Sequence, residues 1–348
     1  MKIKSTLFFS SKSGMLKRSL FNTVLLFLRN PISGEMITNW PPVPMTTVIP
    51  SIYSVICVLG ILGNALAVGV LAHASASRRT VANTFMLNLC VSDLLCLLSL
   101  PLWAVYYSRG YSWPFGQVAC KICGTLHNLN LYASIFFITC MSMDRYLAIV
   151  YPLRSQSARY PRRARLTCIL VWVLACACSA PTLTLRDTYY IEGLGVEACV
   201  IFYPDNTWYR TLTWMKIVVA FVLPLLVISC CYCAIGRHLP PTPMAAVVLA
   251  FFLCWFPFHC VTFIDVLMSE GWLDSCWATW TIQNLTPLTL CLGFSNSAIN
   301  PVLYCFIGNH FRGRLRGLCK GLSACLKARG EEHSQKRGSF STRLTTVS

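Results

Sequence analysis

Residues 81–105 read VANTFMLNLCVSDLLCLLSLPLWAV. A single ionisable side chain, Asp93, stands in an otherwise uncharged and largely apolar run. Wound as a helix, a stretch of this length reaches about 37 Å, more than the ~30 Å hydrocarbon core of a bilayer. The stretch is therefore a membrane crossing. Asp93 is a carboxylate that lipid tolerates only when it faces the inside of a bundle.

The rest of the chain repeats that pattern. Apolar windows at 47–72, 81–105, 117–149, 166–184, 211–238, 244–268 and 278–305 predict seven crossings, an all-α membrane fold. Residues AVILMFWYC make up 55% of the 348 and charged residues 12%, about half the share of a soluble domain. A soluble enzyme and a disordered chain are both excluded. The excess of 29 Lys+Arg over 12 Asp+Glu lies in short loops and a tail beside apolar segments, which argues for anionic lipid and against nucleic acid. Arg78, Arg79, Arg154, Arg159, Arg162, Arg163 and Arg165 occupy loops on one side, with the basic tail. Asp187, Glu192, Glu197, Asp205, Glu270 and Asp274 occupy the other, where Trp113, Trp208, Trp214, Trp272 and Trp277 also gather. The positive side is cytoplasmic, so the reading is a plasma-membrane protein with its N-terminus outside and its C-terminus inside. Three regions follow: an outer tail 1–46, a bundle 47–305, and an inner segment 306–348. The basic leader 1–30, with the apolar run Leu20–Leu28, resists this topology and lacks a clear cleavage site.

Most of the 20 cysteines sit in apolar windows, among them Cys90, Cys96, Cys140, Cys176, Cys178 and the cluster Cys230, Cys231, Cys233. They read as small buried hydrophobes, and no metal site is expected of them. Cys120, Cys199 and Cys276 lie near polar connections and are the disulfide candidates.

Polar residues at membrane depth carry the functional signal. Asn64, Asp93, Asn130, Ser134, Asn296, Ser297 and Asn300 offer hard oxygens that suit a small cation, or equally a polar network joining helices. Asp144-Arg145-Tyr146 closes the third window, and an Arg there can pair locally or swing to another partner. Pro224, Pro257 in Cys254-Trp255-Phe256-Pro257-Phe258 and Pro301 in Asn300-Pro301-Val302-Leu303-Tyr304 predict kinks.

In that order, together with Cys120 and Trp172, these motifs resemble the rhodopsin-class G-protein-coupled receptors over residues 47–320. Longer stretches, such as LPLWAVYY at 100–107 and ASIFFITCMS at 133–142, are similar to the angiotensin receptors, with bradykinin and apelin receptors as neighbours. The resemblance implies a receptor for an extracellular peptide hormone that makes and breaks no bond and so is not an enzyme. Heterotrimeric G-proteins or arrestin, membrane lipid and receptor dimers are the implied partners. It implies a Cys120–Cys199 bridge and a cavity lined by Trp103, Tyr106 and Tyr107. Lys216 and Arg186 would take the peptide's terminal carboxylate, and Asp265 a basic side chain. Phe258, His259 and Gln283 complete the ligand set; Gln283 stands where those receptors have an acid, which removes one partner of a ligand arginine. No cofactor is implied beyond an allosteric sodium ion at Asp93. The activation switch would comprise Asp144, Arg145, Tyr146, Tyr232, Trp255, Pro257, Pro301 and Tyr304. Taken by itself, Lys216 reads equally well as a side chain snorkelling to the outer surface.

Inside, only Pro240-Pro241-Thr242-Pro243 joins the fifth window to the sixth, where the resembling receptors have a longer loop. Impaired G-protein coupling, as in a decoy or dimer partner, is the alternative reading. Asn309–Lys320 reads as an amphipathic helix along the membrane, with Cys319 and Cys325 as candidate palmitoylation sites. A transporter finds little support without a repeated half.

Overall fold

The computed structural model describes residues 44–72, 80–152, 161–192, 195–238 and 244–307, with Gly313, Arg316, Gly317, Lys320 and Ser323 beyond them. The helices in chain order are α1 (Met45–Ala72), α2 (Val81–Leu97), α3 (Leu100–Ser108), α4 (Gly116–Val150) and α5 (Pro161–Leu185), then α6 (Asn206–Ile217), α7 (Leu223–Gly236), α8 (Met244–Ser269) and α9 (Cys276–Ile307). The second crossing is α2 with α3, and the fifth is α6 with α7. Six crossings are long and apolar enough to span a bilayer. The seventh, α9, carries Gln283, Asn284, Asn296 and Asn300, and closes the ring between α8 and α1.

Burial runs opposite to that of a soluble protein. Leu62 is 65% exposed and Leu249 60%, whereas Asn64, Asp93 and Asn300 are at 0%. Lipid is as good a solvent for leucine as another leucine is, so the helices gain little by hiding apolar side chains from it. They gain instead by turning polar groups toward each other. Trp172 Nε1 donates to Asn88 Oδ1 at 2.9 Å, tying α5 to α2.

Local chemistry breaks the second and fifth crossings. Pro101 has no N–H to return to Leu97, and the chain answers with a break at Leu98–Ser99. There the Ser99 N–H and Oγ both donate to Cys96 O, while Leu102 N–H returns to Ser99 O at 3.2 Å. In the fifth crossing, the expected Pro224 kink takes the form of a π turn at Val218–Val222. Leu223 N–H reaches back five residues to Val218 O. A widened turn of this kind is how a helix absorbs one extra residue without losing its ladder.

Two expectations are corrected. The fifth crossing begins at Asn206 and not at 211, because Asp205 caps it by accepting from the N–H groups of Thr207 (2.7 Å) and Trp208 (3.0 Å). Between the fourth and fifth crossings, β1 (Arg186–Ile191) and β2 (Val196–Ile201) form an antiparallel hairpin. The second correction concerns the cysteines. Cys90, Cys96 and Cys231 are buried as expected, and Cys140 and Cys178 partly so, but Cys176, Cys230 and Cys233 face outward. Lipid accepts a thiol as readily as the core does, so nothing forces it inward. The Pro240–Pro243 link, Cys319 and Cys325 lie outside the described residues.

Candidate functional site

The hairpin is held over one end of the bundle by several independent ties. Cys120 of α4 is bonded to Cys199 of β2, which pairs in register with Thr188 of β1. Trp113 N–H donates to Glu197 O at 2.6 Å. Gln117 Nε2 donates to Asp187 Oδ2 at 2.8 Å, and Lys121 Nζ stands 3.5 Å from the same oxygen. Slight burial pushes the Asp187 carboxyl up, but Gln117, the Thr188 N–H and Lys121 together outweigh that and hold it below the ordinary carboxylate range. A depressed carboxylate contributes its stability above its unfolded pKa and loses it only as pH falls through the folded value, so this tie is complete at neutral pH.

Anchored this way, β1 projects Arg186 inward. Its guanidinium lies 5.2 Å from the Trp103 ring centroid, and Nη1 reaches Cys199 Sγ at 3.6 Å. Burial lowers the pKa of Arg186, the nearby Tyr203, Tyr106 and Tyr107 act in the opposite direction, and a guanidinium stays charged regardless. Gly124 of α4 makes room for it: a Cβ at that position would sit 2.3 Å from Arg186 Cδ and Nε. We expect Gly124→Ala to fold, since alanine favours a helix, while displacing Arg186. Affinity for an acidic ligand should then fall by about 1.5–3 kcal/mol, the worth of a charge-assisted hydrogen bond. Equal saturation binding by Gly124→Ala and the parent protein would show that Arg186 needs no fixed position.

Aromatic rings surround the guanidinium. Trp103 packs on Tyr106, Trp113 and His127 at centroid distances of 5.5, 5.0 and 5.3 Å. Tyr107 packs on Tyr106 and on Tyr53. Across the cavity, Lys216 Nζ lies 5.7 Å from the Phe258 centroid, so its ammonium points into the bundle and does not snorkel outward. His259 stacks on Phe221 at 4.6 Å. Asp265 of α8 accepts a very short hydrogen bond from Tyr209 OH. Several buried polar atoms here have no hydrogen-bond partner: Trp103 Nε1, Arg186 Nε, Gln283 Nε2 and both ring nitrogens of His259. Buried polar groups are ordinarily satisfied, so this concentration of unpaired groups, mostly donors, marks a place suited to a polar partner.

Below the mouth the rings continue inward. His127 meets Phe294 at 4.3 Å, Phe294 meets Trp255 at 5.9 Å, and Trp255 meets Phe251 at 6.3 Å. Gly293 lets Trp255 approach α9, because a Cβ there would fall 2.8 Å from the indole Cζ3. Gly293→Ala should therefore overpack this contact and destabilise by about 1–3 kcal/mol. A thermal melt of the purified receptor should fall accordingly, and an unchanged melt would show that the indole moves aside freely.

Deeper still, Asp93 accepts from Asn130 Nδ2 (2.9 Å), Ser297 Oγ (2.8 Å) and Asn300 Nδ2 (3.0 Å). Asn130 Nδ2 also contacts Ser134 Oγ at 3.3 Å and Ser92 Oγ at 3.2 Å. Asn64 Nδ2 donates to Ser297 O at 2.7 Å. Asp93, Asn130, Ser134, Ser297 and Asn300 thus share one set of hydrogen bonds, while Asn296 is buried with its Oδ1 unpartnered. Asn64 and Asn300 each leave an Oδ1 in the same condition, and such oxygens fit a small hard cation or water.

At the other end of the bundle, Asp144, Arg145, Tyr146 and Tyr232 are half-buried, and Tyr146 packs on Tyr151 at 5.8 Å. Pro257 lies inside α8, and Pro301 is buried inside α9, where a Cβ added at Gly63 of α1 would fall 3.1 Å from its ring. Tyr304 belongs to α9, but its side chain lies outside the described residues. Sequence reading missed Tyr209, Trp113, Gly124 and Gly293. Only Trp113 carried a signal, its place in the aromatic belt.

A bundle of membrane-crossing helices with a disulfide-pinned hairpin over a cluster of buried, unpartnered polar groups has the form of a membrane receptor. The model of the 7 transmembrane receptor (rhodopsin family) matches residues 63–304, and the chain belongs to that family. It is therefore a multi-pass receptor and not an enzyme. Among its relatives, the type-2 angiotensin II receptor of Homo sapiens is 40% identical over 316 residues, and that of Meriones unguiculatus 41%. The type-1 angiotensin II receptor of Sus scrofa is 37% identical over 317. Each alignment covers 86% of this chain and 86% of the relative.

Proposed function

We propose that this chain is the receptor for an extracellular, angiotensin-like peptide carrying a free C-terminal carboxylate. One observation supports this above the others. Two cations, Arg186 and Lys216, are held among aromatic rings inside the bundle, one 5.2 Å from the Trp103 centroid and the other 5.7 Å from that of Phe258. Cations withdrawn from water in this way are costly unless an anion meets them. The unpaired Trp103 Nε1, Gln283 Nε2 and Arg186 Nε then serve peptide carbonyls and the carboxylate. Trp103, Tyr106 and Tyr107 supply the aromatic anchors that dominate peptide interfaces. Asp265 receives a basic side chain, which must displace Tyr209 to reach it.

In this reading the cavity faces the outside, the N-terminus is extracellular and the C-terminus cytoplasmic. Ligand on the rings above Phe294 biases Trp255 and the Pro257 segment. The shift reaches Arg145 and Tyr304, where a G-protein or arrestin engages; Asp93, with the amide and hydroxyl oxygens around it, would hold a small cation such as sodium. Radioligand displacement on intact cells by angiotensin, bradykinin and apelin peptides is the direct test. An angiotensin-type acid peptide should displace the tracer and its C-terminal amide should not. Displacement by acid and amide alike removes the reading.

A further inference from the structure

The exterior of the bundle carries a cleft that the peptide cavity does not use. It has a volume of about 530 Å³ and runs along α6 onto the π turn, bounded at one end by Glu270, just past the end of α8. Met215, Val218 and Val219 form its floor, Trp214 one wall, and Arg210 and Glu270 its upper rim. The rim residues form an ion pair, Nη1 to Oε2 at 3.0 Å, with side chains 46% and 22% exposed. The axis thus runs from a paired plus and minus charge, through an indole, to aliphatic side chains over the widened helix. Trp208, Trp214 and Trp272 are exposed at this end, which places the ion pair at headgroup depth and the aliphatic floor in the acyl region.

We propose that this cleft is a binding site for a zwitterionic glycerophospholipid of the phosphatidylcholine type. Each end of the headgroup finds its opposite. The phosphate takes Arg210, with a guanidinium geometry matched to phosphate oxygens. The quaternary ammonium takes Glu270 and the face of Trp214. One acyl chain then follows Met215, Val218 and Val219. The existing ion pair is half-exposed and weakly held, so exchanging it for two new pairs is a small step. An anionic lipid would satisfy Arg210 and repel Glu270, and a sterol would leave both charges without a partner. Arg210 and Glu270 belong to different crossings, so a lipid bridging them also sets the separation of α6 from α8.

The test is photolabelling of the purified receptor in nanodiscs. The probe is a phosphatidylcholine with a diazirine at mid-chain, and adducts are mapped by peptide mass spectrometry. Adducts should concentrate between Trp214 and Val219. They should fall at least fivefold in the double variant Arg210→Gln, Glu270→Gln, whose unchanged melt would establish that it folds. Matched phosphatidylglycerol and diacylglycerol probes should label the cleft no more than other lipid-facing helices. Any of three results overturns the proposal: adducts spread evenly over surfaces such as Leu62 and Leu249, equal labelling by the phosphatidylglycerol probe, or displacement of the probe by equimolar cholesterol. Peptide binding is not the readout, so failure here leaves the proposed hormone site untouched.

Discussion

Lys216→Ala should weaken binding of a peptide acid by about 2–5 kcal/mol, which is roughly thirtyfold to several-thousandfold, while the corresponding C-terminal amide changes only a few-fold. The size follows from what the substitution leaves behind. Lys216 sits on an otherwise apolar stretch of helix, its ammonium over the Phe258 ring and within the field of Arg186 and Asp265. A carboxylate brought into that cavity loses its water and must recover the cost from two cations. With one cation removed, Arg186 alone faces the anion, and the remainder of the desolvation penalty is uncompensated. The amide carries no charge and meets no such penalty, so it separates a charge effect from a packing effect. Lys216→Arg is the useful companion, since it keeps the charge but changes its reach. Competition binding with both peptides on all three receptors decides the matter, and equal losses for acid and amide would place the carboxylate elsewhere.

Cys199→Ser should abolish specific binding at the cell surface. The bridge spans 79 residues, and a link of that length constrains an unfolded chain by about 4–5 kcal/mol. Part of that constraint is redundant here, because membrane insertion already restricts the helices. The larger effect is local. Without the bond to Cys120, the hairpin keeps polar ties, chiefly the bond from the Trp113 N–H to Glu197 O of β2 and the contacts of Asp187 on β1 with Gln117 and Lys121 of α4. Arg186 loses its fixed position when the hairpin drifts, and the cavity loses its lid. Surface antibody staining should be read beside radioligand saturation. Loss of binding with retained staining isolates the lid. Full binding by the variant would show that the polar ties suffice.

Much of the polar architecture is legible in the residues themselves, and the reason is solvent. Lipid penalises every unpaired polar group, so a carboxylate at Asp93 or amides at Asn130 and Asn300 must turn inward and find one another. Their hydrogen bonds are the ones that the pattern implied. The same rule fails for cysteine, which both lipid and core accept, and Cys176, Cys230 and Cys233 accordingly face outward. It fails also for Asn296, which is buried like its neighbours but leaves its Oδ1 outside the Asp93 network. A helix turn separates Asn296 from Asn300 by about one pitch, and only the rotation of α9 against α2 determines which amide meets the acid.

The candidate site divides along similar lines. Lys216 was visible as a lone cation in an apolar run, whereas Trp103 and Arg186 entered the candidate site through the family resemblance. Tyr209 was not, because a tyrosine at a crossing's outer end is ordinary in an aromatic belt. Only folding brings its hydroxyl to Asp265, 56 positions away. Gly124 and Gly293 were silent for a different reason. A glycine inside a helix has no side chain to report, and its role appears only when Arg186 or Trp255 is seen filling the missing volume.

Sequence alone determined the number of crossings and the set of polar residues that must look inward. Both follow from transfer into hydrocarbon, a cost each residue bears almost independently of its distant neighbours. Tertiary structure alone decided which inward residues touch and that Lys216 turns to Phe258 instead of the outer surface. Those outcomes depend on the rotation and spacing of helices far apart in the chain, and that geometry exists only once the bundle has closed.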